Sequence, residues 1–189
     1  MEIAKYAGIH AVKSQKRISF VNGLVKVLES RKIYWGMPKS IDEKGFIDTC
    51  RIPIEQGLAK LFLKESQSSN KEWAERKARS SLFLERNSKT TVNNTLLFGT
   101  QHRPDMLVKH GNDYRIAIEF KVAQSGDEVR AALGQCLVYA SEYEFTIALV
   151  LDATSTGKIK RACDKGELES QLIEKLWEDF GVKVVVVRW

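Results

Sequence analysis

The sequence predicts an α/β protein in which helices come first and a mixed β-sheet flanked by helices follows. Three observations carry that expectation. Apolar residues recur at helical period through the first third of the chain. After Thr91 the texture changes to three short strand-like runs in succession. Farther on, FTIALVL (145–151) and VKVVVVRW (182–189) are rich in β-branched residues, and two amphipathic stretches separate the strands.

In chain order, Phe20, Val21, Leu24, Val25 and Leu28 form one helical stripe over 19–28. Gly36-Met37-Pro38 breaks the chain, and 41–45 reads as loop. A second helix is expected after Pro53, with Ile54, Leu58, Leu61 and Phe62 on one face. A third, dense in charge, spans 71–86, with Trp73, Ala74, Ala78 and Leu82 on its drier side. TLLFGT (95–100), DMLVKH (105–110) and YRIAIEFKV (114–122) read as three successive strands. Ser125-Gly126-Asp127 signals a helix start, and Val129, Ala132, Leu133, Cys136 and Ala140 give that helix its apolar face. Residues 145–151 are expected as a central strand buried on both faces, 157–165 as a basic loop, 168–180 as a helix and 182–189 as a closing strand. The expected division is an N-terminal helical extension over 1–50 and a main domain over 51–189, forming one compact unit.

The chain has 189 residues, 43% of them hydrophobic and 29% charged, which is enough to bury a core. No signal peptide is read at the start, and no run approaches the length of a membrane span. The expectation is a soluble, cytoplasmic protein without membrane contact. Cys50, Cys136 and Cys163 are odd in number and far apart, which argues against disulfides, a zinc knuckle or an iron–sulfur site. The formal charge of +6 fits a polyanionic partner. STGK at 155–158 lacks the first glycine and the final Ser/Thr of a phosphate-binding loop, so it reads as a basic turn. Lys158, Lys160, Arg161 and Lys165 around it can contact backbone phosphates.

The chemistry lies in 103–121. If Gly111-Asn112-Asp113 forms a three-residue hairpin loop, pairing is symmetric about Asn112, and Asp105 sits directly across from Glu119. Lys121, two residues on, projects from the same face. Two carboxylates that close repel unless a cation lies between them. Oxygen ligands select Mg²⁺ or Mn²⁺, ions that keep waters and bind phosphate oxygens. A lysine alongside can orient water or offset negative charge in a transition state. Together these parts suit metal-assisted hydrolysis of a phosphodiester.

Pro104-Asp105, thirteen intervening residues and then Glu119-Phe120-Lys121 resemble the motif of the PD-(D/E)XK nuclease superfamily. Gln135 and Tyr139, four apart on the next helix and hence on one face, resemble the QxxxY element of its RecB-like branches. The element order is similar to that superfamily's restriction-endonuclease-like core, α-β-β-β-α-β, with an added C-terminal α-β. The resemblance covers about 53–151. It implies that Asp105, Glu119 and the backbone carbonyl of Phe120 hold the metal and that Lys121 is the catalytic lysine. It also implies that Gln135 faces the site and that Tyr139 supports it or touches substrate. The superfamily often adds a glutamate from the preceding helix. Glu55 is favoured for that place, with Glu75 and Glu85 as rivals. The four cysteines of iron–sulfur RecB-like members are absent, and the histidine of some exonuclease branches has no clear counterpart, although His102 stands near Asp105. The expected activity is therefore that of a metal-dependent nuclease acting on DNA, exonuclease or endonuclease. The alternatives are an inactive nucleic-acid-binding module of the same fold and a nuclease subunit that depends on a protein partner. Dimers are common in the superfamily, so a homodimer is a further expectation.

Overall fold

The stripe expected over 19–28 belongs to helix α1 (Gln15–Leu28), which buries Phe20, Val21, Leu24 and Leu28. The structure, a computed structural model, describes residues 15–38, 40–85, 95–97 and 99–188. A short helix α2 (Arg31–Tyr34) follows, and then a long one, α3 (Glu43–Ser66). Here the structure corrects the expectation of a loop over 41–45 and a helix beginning after Pro53. Asp42 caps α3 by accepting from the Gly45 N–H at 2.8 Å, and the helix runs through Pro53 unbroken. A proline inside a helix removes one hydrogen bond and crowds the preceding turn. Burial of Phe46, Ile47, Cys50, Ile54, Leu58 and Phe62 along one continuous face outweighs that cost. The boundary expected after residue 50 thus falls within α3.

Helices α1 and α3 cross closely. A Cβ on Gly57 would lie 2.4 Å from Cγ1 of Val27, so only glycine admits this approach.

Helix α4 (Lys71–Ser81) is capped by Asn70, whose side chain accepts from the Trp73 N–H at 2.9 Å. It does not continue through 82–85. Leu82–Leu84 forms strand β1, antiparallel to a later strand, because pairing there satisfies backbone groups that a frayed helix end would leave open. The helix expectation at Arg86 lies outside the described residues. A second correction concerns 95–100, expected as one strand of the sheet. It contributes β2 (Thr95–Leu97) and the start of β3 (Thr100–His102), which pair with each other across a turn at Gly99, φ +76°, in a separate ribbon. Phe98 lies outside the described residues.

The remaining elements are β4 (Met106–His110), β5 (Tyr114–Ala123), α5 (Gly126–Tyr139), β6 (Phe145–Asp152), α6 (Lys158–Lys165), α7 (Glu167–Phe180) and β7 (Val182–Val187). Helix α6 replaces the basic loop expected over 157–165. It starts from Gly157 at φ +66°, and its Lys160 N–H donates to Asp152 Oδ2 at 2.8 Å. Trp189, expected to end the last strand, lies outside the described residues. The main sheet has the order β1-β4-β5-β6-β7. The pairs β1–β4 and β4–β5 are antiparallel, and β5–β6 and β6–β7 are parallel. It is an open, mixed sheet of five strands flanked by helices. Strand β6 is buried at every position, as its apolar sequence requires.

Alternation along β5 divides the two layers. Ile116, Ile118 and Phe120 face the core shared with α1 and α3, whereas Ala117 packs with Tyr139 and Ala123 with Ala132 and Cys136 of α5. By the same parity Glu119 and Lys121 project on the α5 side. Across the sheet, Phe46 of α3 meets Phe120 edge-on, ring centroids 5.3 Å apart and planes at 79°. Both are fully buried. This contact fixes the start of α3 against β5. Phe46→Ala is expected to cost about 3–5 kcal/mol, measured as the shift of the urea midpoint at constant slope. A change under about 1 kcal/mol would show that the contact does not anchor the helix.

Candidate functional site

The site is built by the register of one hairpin. Residues 111–113 form its loop, Gly111 has φ +59°, and the Asp113 N–H donates to the His110 carbonyl at 3.1 Å. The pairs run from His110↔Tyr114 to Met106↔Ile118, all symmetric about Asn112. That is the register expected from a three-residue loop. One further step sets Asp105 beside Glu119.

Each carboxylate is held by a specific donor. Asp105 Oδ2 accepts from the Phe120 N–H at 2.8 Å, and the Asp105 carbonyl accepts from the Glu85 N–H at 3.0 Å. Glu119 is 4% exposed. Its Oε2 lies 3.1 Å from the Tyr139 hydroxyl, which also lies 2.9 Å from the Arg103 carbonyl. One phenolic proton is shared between these two acceptors, so neither is strongly satisfied. The second oxygens, Asp105 Oδ1 and Glu119 Oε1, receive no hydrogen bond among the described residues.

Burial raises the pKa of both carboxyls. For Glu119 the next cause is the charge of Asp105, opposed by the Tyr139 hydrogen bond and Lys121. For Asp105 the Phe120 N–H opposes the rise, while Glu85 and Glu43 add to it. Burial thus disfavours the charged form of both groups.

Lys121 donates through Nζ to Glu43 Oε1 at 2.8 Å. Partial burial works against its charge, but Glu43 first, and then Glu119 and Asp105, hold its pKa above the ordinary lysine value. It is therefore an ammonium that donates hydrogen bonds, not a base. Glu43 is the carboxylate in contact with this cation, and Asp105 and Glu119 act on it through their charge.

Glu43 is the residue that sequence reasoning missed. It opens α3 immediately after the Asp42 cap. The signal was present as an Asp-Glu pair ahead of Phe46 and Ile47, but Gly45 reads as a breaker and masked it. Of the upstream candidates, Glu85 lies beside Asp105, and Glu55 and Glu75 are engaged or exposed on their own helices. Glu55 accepts from Arg79 Nε at 2.9 Å. Glu75 is exposed on α4. Glu85 follows β1 and adjoins Asp105 through its backbone. Gln135 is half-buried one turn before Tyr139, and its buried Oε1 has no partner among the described residues. His102, the third residue of β3, is half-buried.

Among the described residues, no three His, Cys, Asp or Glu side chains form a metal-ligating group. The requirement of a magnesium-type site is smaller: one or two carboxylates, with water and substrate oxygens filling the rest. Asp105 and Glu119 are the pair that could hold such an ion, since each keeps one oxygen outside the internal hydrogen bonds among the described residues. A cavity of ≈ 40 Å³ beside Asp105, lined also by Lys44, Asp48, Leu84 and Glu85, has room for water. No described helix is long and apolar enough to cross a membrane. No protein-family model, curated protein or solved structure matches the chain.

Proposed function

We propose that the chain is a divalent-metal-dependent nuclease of the PD-(D/E)XK type that hydrolyses phosphodiester bonds in DNA. The observation that carries this reading is the hairpin register, which sets the buried Glu119 and the half-buried Asp105 side by side, each under-satisfied, with a lysine two residues on. One mixed sheet whose strands β1, β4, β5 and β6 follow the N-terminal helices in that chain order, with α5 between β5 and β6, supports a restriction-endonuclease-like core.

Asp105, Glu119 and the Phe120 carbonyl would hold Mg²⁺ or Mn²⁺. A bound ion of this kind polarises a phosphate and lowers the pKa of water. Lys121 donates to the attacking water or to the charge that develops on the phosphorane oxygens. Glu43 holds the ammonium in place and keeps it protonated. Tyr139 turns the Glu119 carboxylate, and Gln135 lies one turn away on the same helix face with a buried Oε1 that no described residue satisfies. The +6 charge of the chain favours association with a polyanion.

The test incubates the purified protein with labelled linear duplex, single-stranded and branched DNA, in Mg²⁺, in Mn²⁺ and in chelator. Cleavage is expected in the metals only, and Asp105→Ala is expected to abolish it while the circular dichroism spectrum is unchanged. The product ladder separates exonuclease from endonuclease. Cleavage by Asp105→Ala at the parent rate would sink the site assignment. Binding without cleavage in either metal would replace the enzyme with an inactive module of the same fold, or with a subunit that needs a partner.

A further inference from the structure

A second feature lies at the same end of the sheet as the carboxylates. A groove of ≈ 870 Å³ opens at the C-terminal end of edge strand β7, bordered by Arg31 and Trp35 at α2, Lys160 of α6 and Arg188 after β7. Its volume falls within the roughly 300–1,000 Å³ of ligand sites. Lys121, Val150 and Val186 share one row across the parallel strands. Since strands lie about 4.8 Å apart, the groove wall at Val186 is about 10 Å from the Lys121 backbone.

The groove presents an aromatic ring on purpose-built backbone. Tyr34 is 1% exposed and donates its hydroxyl to the Leu28 carbonyl, whereas its neighbour Trp35 is 87% exposed. Gly36, at φ +82°, turns the chain immediately afterwards. An anchored tyrosine thus holds an indole out into solvent, where it buries nothing of its own. Its surroundings are basic. Arg31 and Lys32 are exposed on α2, as are Lys158 and Arg161 on α6. Of the acids at the rim, Asp164 is taken up by Lys160 at 2.8 Å, and Glu29 remains. The Arg188 guanidinium is steadied by the Ser155 carbonyl at 2.9 Å.

We infer that this groove binds single-stranded nucleic acid, with an unpaired base stacked on Trp35 and the flanking phosphates on Arg31 and Arg188. The inference rests on the nuclease reading for its link to the carboxylates and names the substrate form for that site. A duplex covers the faces of its bases, so only a single strand or an unwound end can use the indole. Arginine and lysine beside an aromatic platform suit a strand whose phosphates track past its stacked bases. The sequence pointed only to the basic half of this surface.

The experiment measures anisotropy of a short fluorescein-labelled single strand, and of the matching duplex, in chelator so that nothing is cut. Trp35→Ala is expected to weaken single-strand binding about tenfold or more and to leave duplex binding unchanged, whereas Trp35→Phe keeps most of the affinity. Arg31→Ala is expected to lower the slope of log affinity against log salt by about 1. Equal binding of the strand by Trp35→Ala and the parent would overturn the proposal, as would equal losses for strand and duplex. Cleavage in Mg²⁺ or Mn²⁺ is scored separately on the parent protein. Cleavage with a Trp35-independent strand affinity removes the groove and leaves the nuclease. Trp35-dependent binding with no cleavage in either metal does the reverse.

Discussion

Glu119→Gln is expected to destroy cleavage and to make the metal-free protein more stable. The two effects have one cause. Burial, then the charge of Asp105, disfavours ionised Glu119 in the folded state and raises its pKa. A group with a raised folded pKa contributes stability that is fully present below its unfolded pKa and is lost as pH rises through the folded value. In alkaline buffer with chelator the ionised carboxylate is therefore a burden on the fold. Glutamine keeps an oxygen for the Tyr139 hydroxyl and removes the charge. The melting temperature in chelator should rise on the order of 5 °C at alkaline pH and much less at acid pH, given about 2–4 °C per kcal/mol for a chain of this size. On the proposed role of Glu119 as a metal ligand, its loss should cost at least about 10³-fold in rate, comparable to the larger losses on removing a group that stabilises transition-state charge. A variant that melts below the parent in alkaline chelator would show that Glu119 is a structural anchor and not a site held under strain.

Lys121→Met should separate binding from chemistry. The side chain is nearly isosteric and loses only the ammonium. The expected fall in cleavage is about 10²–10³-fold, the usual cost of one electrostatic contact made in the transition state. Affinity for Mn²⁺, measured by calorimetry without substrate, should not fall, because Lys121 supplies no ligand and its positive charge opposes a cation. Lys121→Arg should not restore the rate, since a planar guanidinium cannot reproduce the point contact with Glu43 Oε1 at 2.8 Å. Cleavage retained in Lys121→Met to within about threefold would remove the lysine from the machinery.

What was legible in the sequence was whatever a local pattern determines. The loop 111–113 sets the register, so the neighbourhood of Asp105 and Glu119 could be read without coordinates. Ser125-Gly126-Asp127 signals a helix start, and α5 begins there, closed by a capping box of Ser125 and Glu128. The run 145–151 has no polar alternation, and its strand is central and buried. The failures share the opposite character. Pro53 and Gly45 are local breakers overruled by the apolar face of α3, whose partners lie in the distant sheet. Leu82–Leu84 is too short to show a period, and only pairing with residues 106–108 makes it a strand. Glu43 enters the site by the same route: its partner is Lys121, and nothing near it in sequence foretells that meeting.

Helix α3 is pinned to the sheet at both ends. Near its start Glu43 meets Lys121, 78 residues away, and near its end Glu65 Oε2 lies 2.6 Å from His110 Nε2, 45 residues away. Neither pin can form until the β4–β5 hairpin has emerged in synthesis, so for that interval Phe46, Ile54, Leu58 and Phe62 have no sheet to cover them. Closing loops of that length before any contact rewards them makes assembly slow and the waiting chain prone to associate with others. The same delay acts as a safeguard. Asp105, Glu119 and Lys121 share one hairpin, but Glu43 joins them only when α3 docks on it, so no form of the chain with α3 undocked carries the whole cluster.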